Sequence, residues 1–542
     1  MRCGGVSSAP SRGERKRAII TALFQDCTFI AKLKKGRVNM IINPFEAIPL
    51  VVSLKFMPMI VIGSIVGQFV GAMPGITSAS GVIIALPLTF YMDPDVALAL
   101  LVSIYMGSLT GGGVTAVYFN IPGDPQAALT AIDGFAMTQK GLQNEAAGIV
   151  IGASFVGGLF SYIILALLIG PLGEIALKFG PIEMCLTALV GMICAAGVKG
   201  RNPLKGLASG FFGFILGTIG LGPTGNWRAT FGFMDLMEGV PFLPVLIGML
   251  AMCELLDMMK KETIVPIAYE TKRSFRRIWK GMIYPFKKPV ETVISSVIGT
   301  IVGIIPGEGA TMASFLSYSR AKETSKQRET FGTGNPVGVL AAESADNASS
   351  GGGLLTTLLL GIPGTATCAL LMAALMLHGI QCGPMMFIKH QAVVSHLLTS
   401  LFVSNLVMVI TGIGCVYCVQ ALLFTPTRVL VPIIMVFCVL GAYFDRNSMF
   451  DVWLMFVFGL LAWFMRKYEY PPLALVVALI VAPIADHELI RAIQINQERI
   501  FSVTLRSPTA LILIGLNIAL LFYMFRGWKK GVKEGEIPTP VI

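Results

Sequence analysis

The chain has 542 residues, of which 55% are hydrophobic and only 13% charged, with a formal net charge of +11 and a mean hydropathy of +0.76. Soluble domains carry about a quarter charged residues, so these values exclude a water-soluble enzyme or binding module and indicate an integral membrane protein. The apolar residues form continuous runs and not the weakly alternating ten-residue strands of a closed barrel, which leaves an all-α polytopic chain.

Residues 1–39 form a basic arm. It has no apolar core followed by a small-residue cleavage site, so it does not read as a secretory signal. Two readings stand: a cytoplasmic arm, or a translation start at Met40, because Lys35-Gly36-Arg37 can be encoded by a purine-rich ribosome-binding stretch. From about residue 48 to residue 526, apolar segments recur at the length that crosses about 30 Å of hydrocarbon as helix. Clear cases are "MPMIVIGSIVGQFVGAM" (57–73), "IVIGASFVGGLFSYIILALLIGPL" (149–172), "LFVSNLVMVITGIGCVYCVQALLF" (401–424) and "LILIGLNIALLFYMF" (511–525). About 10 to 14 spans are expected, the spread arising from segments that Gly and Pro shorten or interrupt.

A first membrane block, 40–260, contains Pro-Gly pairs at 74–75 and 122–123. A basic stretch follows at 261–288, where Lys272, Arg273, Arg276, Arg277, Lys280, Lys287 and Lys288 outweigh Glu262 and Glu270, as in a cytoplasmic loop. A second block, 289–526, has Pro-Gly pairs at 306–307 and 363–364, and the basic tail 527–542 is also expected in the cytoplasm. "RAKETSKQRE" (320–329) and "RK" (466–467) are read in the same way. A nucleic-acid patch is the alternative for such runs; between spans a topology signal is the simpler reading.

The ten cysteines make no framework, and Cys415 and Cys418 lie inside an apolar span as small hydrophobes. The four histidines are dispersed, no HExxH occurs, and "DHE" at 486–488 reads as a solvated helix end, so no metal or other cofactor is expected.

Two landmarks occur twice in the same order. "VGAMPG" (70–75) matches "VGIIPG" (302–307), and "GGGVTAVYFNIPGD" (111–124) matches "GGGLLTTLLLGIPGT" (351–365), the copies lying about 230 to 240 residues apart. Two internal repeats, inverted in the membrane and each with a Pro-Gly re-entrant hairpin, are expected. Proline lacks an amide donor and glycine allows angles that other residues avoid, so each Pro-Gly interrupts a helix at membrane depth. The freed N–H and C=O groups must be buried in protein or line a hydrated cavity. There the helix starts attract an anion and the carbonyls a cation. The anion-binding candidates are therefore Pro74, Gly75, Gly112, Gly113, Pro122, Gly123, Asp124, Pro306, Gly307, Glu308, Gly309, Pro363, Gly364 and Thr365. The polar cluster Glu343, Ser344, Asp346 and Asn347 runs directly into an oily segment. It is tolerable beside a water-filled site, where an ionisable group is a functional candidate; the alternative is an extramembrane loop with a helix cap.

Longer motifs carry a resemblance. "PLTFYMDPDVALALLVSIYMGSLTGGGVTAVYFNIPGDPQAALTAIDGFAMTQKG", "KFGPIE", "GIIPGEGATMASFLSYSRAKETSKQRETFGTGNPVGVLAAESADNASSGGG" and "LLLGIPGTATCALLMAALMLHG" resemble TctA, the large membrane subunit of the tripartite tricarboxylate transporters, over about residues 45–510. The resemblance implies a secondary transporter in the bacterial inner membrane that imports carboxylates such as citrate with a Na⁺ or H⁺ gradient. It also implies a small TctB-like membrane partner and a periplasmic TctC-like binding protein. Ser344 and Asn347 join the substrate candidates, and Asn120, Thr130, Asp133, Glu343 and Asp346 are the cation-coupling candidates. No G-x-x-x-x-G-K-[ST] is present, in keeping with gradient energy. Three departures bear on substrate: no acid near Gly222, alanine for a usual glycine in "ALIVAPIADHELIRA" (478–492), and Asp124 where a small hydroxyl residue is typical. A channel, and more remotely an intramembrane enzyme using Asp133 with Glu343 or Asp346, are the other classes.

Overall fold

The computed structural model describes residues 47–73, 77–120, 122–176, 179–197, 203–259, 274–306, 309–423 and 427–533. The arm at 1–39, the first part of the basic stretch and the end of the tail lie outside the described residues, as do Pro74, Gly75, Gly307 and Glu308.

The principal helices are α1 (Met57–Ala72), α2 (Ser78–Thr89), α3 (Pro94–Phe119), α4 (Ala128–Gln139), α5 (Gln143–Ala176), α6 (Pro181–Gly197) and α7 (Pro203–Gly217). After the basic stretch come α8 (Pro289–Gly303), α9 (Gly309–Thr324), α10 (Pro336–Leu360), α11 (Ala366–Leu377), α12 (Gln391–Leu423), α13 (Thr427–Arg446), α14 (Met449–Lys467), α15 (Pro472–Asn496) and α16 (Pro508–Lys533). Among the described residues the strands are confined to a two-rung ladder, Gly220–Leu221 antiparallel to Trp227–Arg228. By length and composition five helices can cross a membrane: α3, α5, α12, α14 and α15. α1, α2, α8 and α11 are among the shorter apolar helices.

The sequence sets where helices stop. Pro94 occupies the first turn of α3, where its missing N–H costs nothing. The helix ends at Asn120, whose φ of 58° is left-handed and turns the chain out ahead of Pro122. α10 repeats this plan: Asn335 caps it by accepting from Val337 N–H at 2.9 Å, and Gly361 ends it at φ 67°. α2 and α11 follow Pro-Gly breaks and begin at Thr77 and Thr365, whose hydroxyls accept from Ser80 and Cys368 N–H groups.

Small residues bring the central helices together. Gly63, Gly67 and Gly71, each four apart on one face of α1, lie against the carbonyls of Leu100, Ile104 and Ser108 on α3. On α8, Gly299 and Gly303 lie in the same way against Ala345 and Ser349 of α10. α5 packs on α10, with Gly157 against the Ser344 carbonyl. α12 packs on α3, where the Ser103 and Ser404 hydroxyls are 2.6 Å apart. Leu98, Leu101, Ile104 and Met106 of α3 join Leu370 and Leu371 of α11 and Leu397 and Leu401 of α12 in one buried apolar cluster.

The cluster at 343–347 is not an extramembrane loop. It lies mid-helix in α10, with Glu343 and Ser344 0% exposed, Asp346 1% and Asn347 2%. The segment 486–488 is likewise inside α15 and not at a helix end, and Asp486 pairs with Arg228 beside the ladder at 2.7 Å. Among the described residues no three His, Cys, Asp or Glu side chains are grouped to hold a metal. The latter part of the basic stretch is helical, at Phe275–Met282 and Tyr284–Lys287, with Ile278 and Met282 buried against α5.

Candidate functional site

Four interrupted segments turn their starts toward one cavity of about 580 Å³. Thr77 to Ala79 open α2, Asp124 to Gln126 lead into α4, Ala310 and Thr311 belong to the first turn of α9, and Thr365 to Thr367 open α11. Tyr105 of α3 contributes to the wall. The remaining side comes from Arg466, at the end of α14, and from Glu469 to Leu473, which lead into α15. The first amides of a helix have no partners within it and carry the positive end of its dipole, so helix starts facing one cavity favour an anion.

Contacts at the rim tie these starts together. The Ser78 N–H donates to Asp124 Oδ1 and Oδ2 at 3.1 and 3.2 Å. The Ser78 hydroxyl lies 2.9 Å from that of Thr367, joining the start of α2 to the start of α11. Gly123 and Gly364 stand behind the wall. A Cβ on Gly123 would strike Gly112 and the Gly71 carbonyl, and one on Gly364 would strike Gly353. Both glycines are thus required by backbone packing at the breaks. Pro306 and Pro363 are buried at their breaks, Pro122 is half-buried, and Gly309 packs on Val302 as α9 begins.

The buried acids occupy a second layer. Glu343 Oε2 accepts from Ser154 Oγ at 3.2 Å, while Oε1 has no hydrogen-bond partner among the described residues. That carboxylate presses on Gly113 of α3, where any Cβ would collide with it. Asp346, one turn further along α10, has neither oxygen hydrogen-bonded among the described residues and lies in the electrostatic surroundings of Glu343, Asp124 and Gln126. Buried carboxylate oxygens without donors are costly, and an ion or a proton would relieve them. Thr130 Oγ1 and Ser344 Oγ are buried and likewise without partners among the described residues. Asn347 does not line the cavity: its amide donates to Ser154 Oγ at 2.8 Å and to the Glu343 carbonyl at 3.3 Å, bracing the Glu343 carboxylate.

Asp133 and Asn120 stand elsewhere. Asn120 is exposed at the end of α3. Asp133 Oδ1 accepts from the N–H groups of Gly332, Gly334 and Asn335, each at 2.8 Å, and Oδ2 accepts from the Tyr318 hydroxyl at 2.8 Å. The carboxylate organises the turn that launches α10. Charge-assisted hydrogen bonds contribute about 1.5 to 3 kcal/mol each and are not additive, so Asp133→Ala should cost about 3 to 5 kcal/mol and lower the unfolding temperature in detergent. Uptake per folded molecule should persist. A variant of normal thermal stability that has lost uptake would instead place Asp133 on the ion path.

Sequence reading missed Tyr105 and the group around Arg466. From the sequence Arg466 reads as part of a topology signal, whereas in the structure it lies on the cavity wall beside Pro471-Pro472, which starts α15. Arg466 also faces Asp257 at 3.6 Å.

Apolar helices long enough to cross a membrane, and interrupted segments that meet at one cavity, define a multi-pass membrane protein. The family model described as tripartite tricarboxylate transporter TctA family matches residues 57–477, and the chain belongs to that family, which transports solutes and is not enzymatic. It is 32% identical over 469 residues, 85% of this chain and 91% of the relative, to an uncharacterized 52.8 kDa protein in the TAR-I ttuC' 3' region of Agrobacterium vitis. A second relative from the same organism, an uncharacterized protein in the TAR-II ttuC' 3' region, is 33% identical over 220 residues, 41% of this chain and 90% of the relative. No solved structure matches the chain significantly.

Proposed function

We propose that the protein is the large transmembrane subunit of a binding-protein-dependent secondary transporter, which imports small carboxylates across the bacterial inner membrane with a Na⁺ or H⁺ gradient. It works with a small TctB-like membrane subunit and a periplasmic TctC-like protein that delivers the substrate. The observation that carries this reading is the meeting of four interrupted segments, from both halves of the chain, at one cavity with Arg466 on its wall. Helix starts and a guanidinium suit a carboxylate.

Two repeats, 40–260 and 289–526, give this site its symmetry. In support, α1, break, α2, α3, break and α4 recur in order as α8, break, α9, α10, break and α11. Gly67 and Gly71 have counterparts in Gly299 and Gly303, and the contact of Gly112 with Gly123 has one in Gly353 with Gly364. The start of α2 touches that of α11, so the first break of one half meets the second break of the other, as an inverted arrangement requires. The shorter apolar helices complete about 10 to 14 spans, and the basic segments 261–288 and 527–542 face the cytoplasm.

Coupling follows from charge. An anion entering the cavity is repelled by Asp346 and Glu343 until a cation or proton neutralises them, and by linkage the anion raises the affinity for that cation in equal measure. Proteoliposomes holding both membrane subunits and loaded binding protein should accumulate labelled carboxylate when a Na⁺ or proton gradient is imposed without ATP. Accumulation indifferent to both gradients would reject secondary transport, and single-channel conductance without the binding protein would indicate a channel.

A further inference from the structure

The cavity wall holds two carboxylates, Asp124 and Glu469, against one guanidinium, that of Arg466. One of the carboxylates already occupies an anion position. Asp124 is 5% exposed, and both its oxygens face the Ser78 amide in the first turn of the twelve-residue α2. A carboxylate from outside would seek that same amide, because Thr77 Oγ1 already serves Ser80 N–H in the same turn.

The second half of the chain provides an internal comparison. Asp124 follows Pro122-Gly123 as Thr365 follows Pro363-Gly364, and Thr365 is neutral and caps its own helix by accepting from Cys368 N–H at 3.1 Å. The start of α11 therefore faces the cavity without a resident negative charge, whereas the start of α2 does not. Volume sets no comparable limit, since about 580 Å³ would admit a six-carbon acid.

We propose that Asp124 acts as a built-in carboxylate that fills the anion position at the start of α2, so that the transported substrate is a small dicarboxylate and tricarboxylates are excluded by charge. This deepens the carboxylate-transport proposal above and rests on it. The two substrate carboxylates are left with the starts of α11 and α9 and with Arg466, while a third would have to approach Asp124.

The test uses the purified full chain in detergent, with the unfolding temperature followed against succinate and against citrate, since a ligand that binds only the folded state raises that temperature. Wild-type protein should reach half its maximal shift at a succinate concentration at least tenfold below that for citrate. Asp124→Thr, which installs the residue of the other half, should move the ratio of the two half-saturating concentrations at least tenfold toward citrate. Asp124→Asn, which keeps the shape and one acceptor oxygen, should move it in the same direction and decides the matter if the threonine variant does not unfold cooperatively. Wild-type preference for citrate, or an unchanged ratio in the variants, overturns the role of Asp124 and leaves carboxylate transport standing. Absence of any shift with either acid in the wild type overturns carboxylate binding at this cavity, and the role of Asp124 with it, while transport by the full complex is judged by the proteoliposome measurement.

Discussion

Arg466→Gln should abolish carboxylate uptake while the protein reaches the membrane in normal amount. Arg466 is the one cation among the described residues of the cavity wall. Its ion pair with Asp257 is modest, since the two groups lie 3.6 Å apart and their side chains are 36% and 46% exposed. Ion pairs so open to solvent contribute at most about 1 kcal/mol, so folding should change little. A substrate carboxylate inside the cavity loses more, because each charge-assisted hydrogen bond to the planar guanidinium contributes about 1.5 to 3 kcal/mol, or about a ten- to 150-fold loss of affinity. Arg466→Lys keeps the charge and gives up the planar fork, so partial uptake is expected from it. The measurement is initial uptake of labelled substrate normalised to membrane abundance; a glutamine variant within twofold of wild type would remove Arg466 from the site.

Asp346→Asn should separate substrate movement from the ion gradient. The carboxylate is 1% exposed and neither oxygen makes a hydrogen bond of good geometry among the described residues, with only the Gln126 side chain beside it as a donor, so the neutral amide should fold at least as well. Without the charge there is less to repel an anion and less to hold a cation. The variant should still exchange labelled for unlabelled carboxylate across a proteoliposome membrane but should no longer accumulate it when a Na⁺ or proton gradient is imposed. Glu343→Gln serves as the contrast, because Glu343 has a fixed contact to Ser154 and presses on Gly113. Gradient-driven accumulation by Asp346→Asn at the wild-type level would show that coupling lies elsewhere.

The breaks were legible in the sequence because Pro-Gly acts locally, on the backbone of its own segment, and the helix ends at Asn120 and Gly361 follow from the same chemistry. The polar cluster at 343–347 was legible only as one kept from lipid, since its sequence fits a water-filled site as well as an extramembrane loop, whereas the structure buries it mid-helix behind the cavity. What each acid does was not legible. Asp133 and Asp346 are both buried carboxylates on helices; one is filled by three backbone amides and a phenol that arrive from residues 318 to 335, the other makes no hydrogen bond of good geometry among the described residues. That difference is made by chain folding over about two hundred residues and leaves no local trace. Arg466 escaped for a similar reason, because a charge at the end of an apolar helix has the same spelling whether it faces cytoplasm or a cavity.

The glycine seams between α1 and α3 and between α8 and α10 bear on how such a protein can diversify. Backbone lies directly on backbone there, so no layer of side chains exists that could be repacked to absorb a change, and even an added methyl group at Gly67, Gly71 or Gly303 meets a carbonyl. The residues at the helix starts, Asp124 and Thr365 among them, sit in front of those seams and meet their neighbours through side-chain hydrogen bonds to backbone amides, which other polar side chains can also make. Selectivity can therefore drift from one lineage to another by exchange of a few polar side chains at the cavity while the frame behind them stays unchanged.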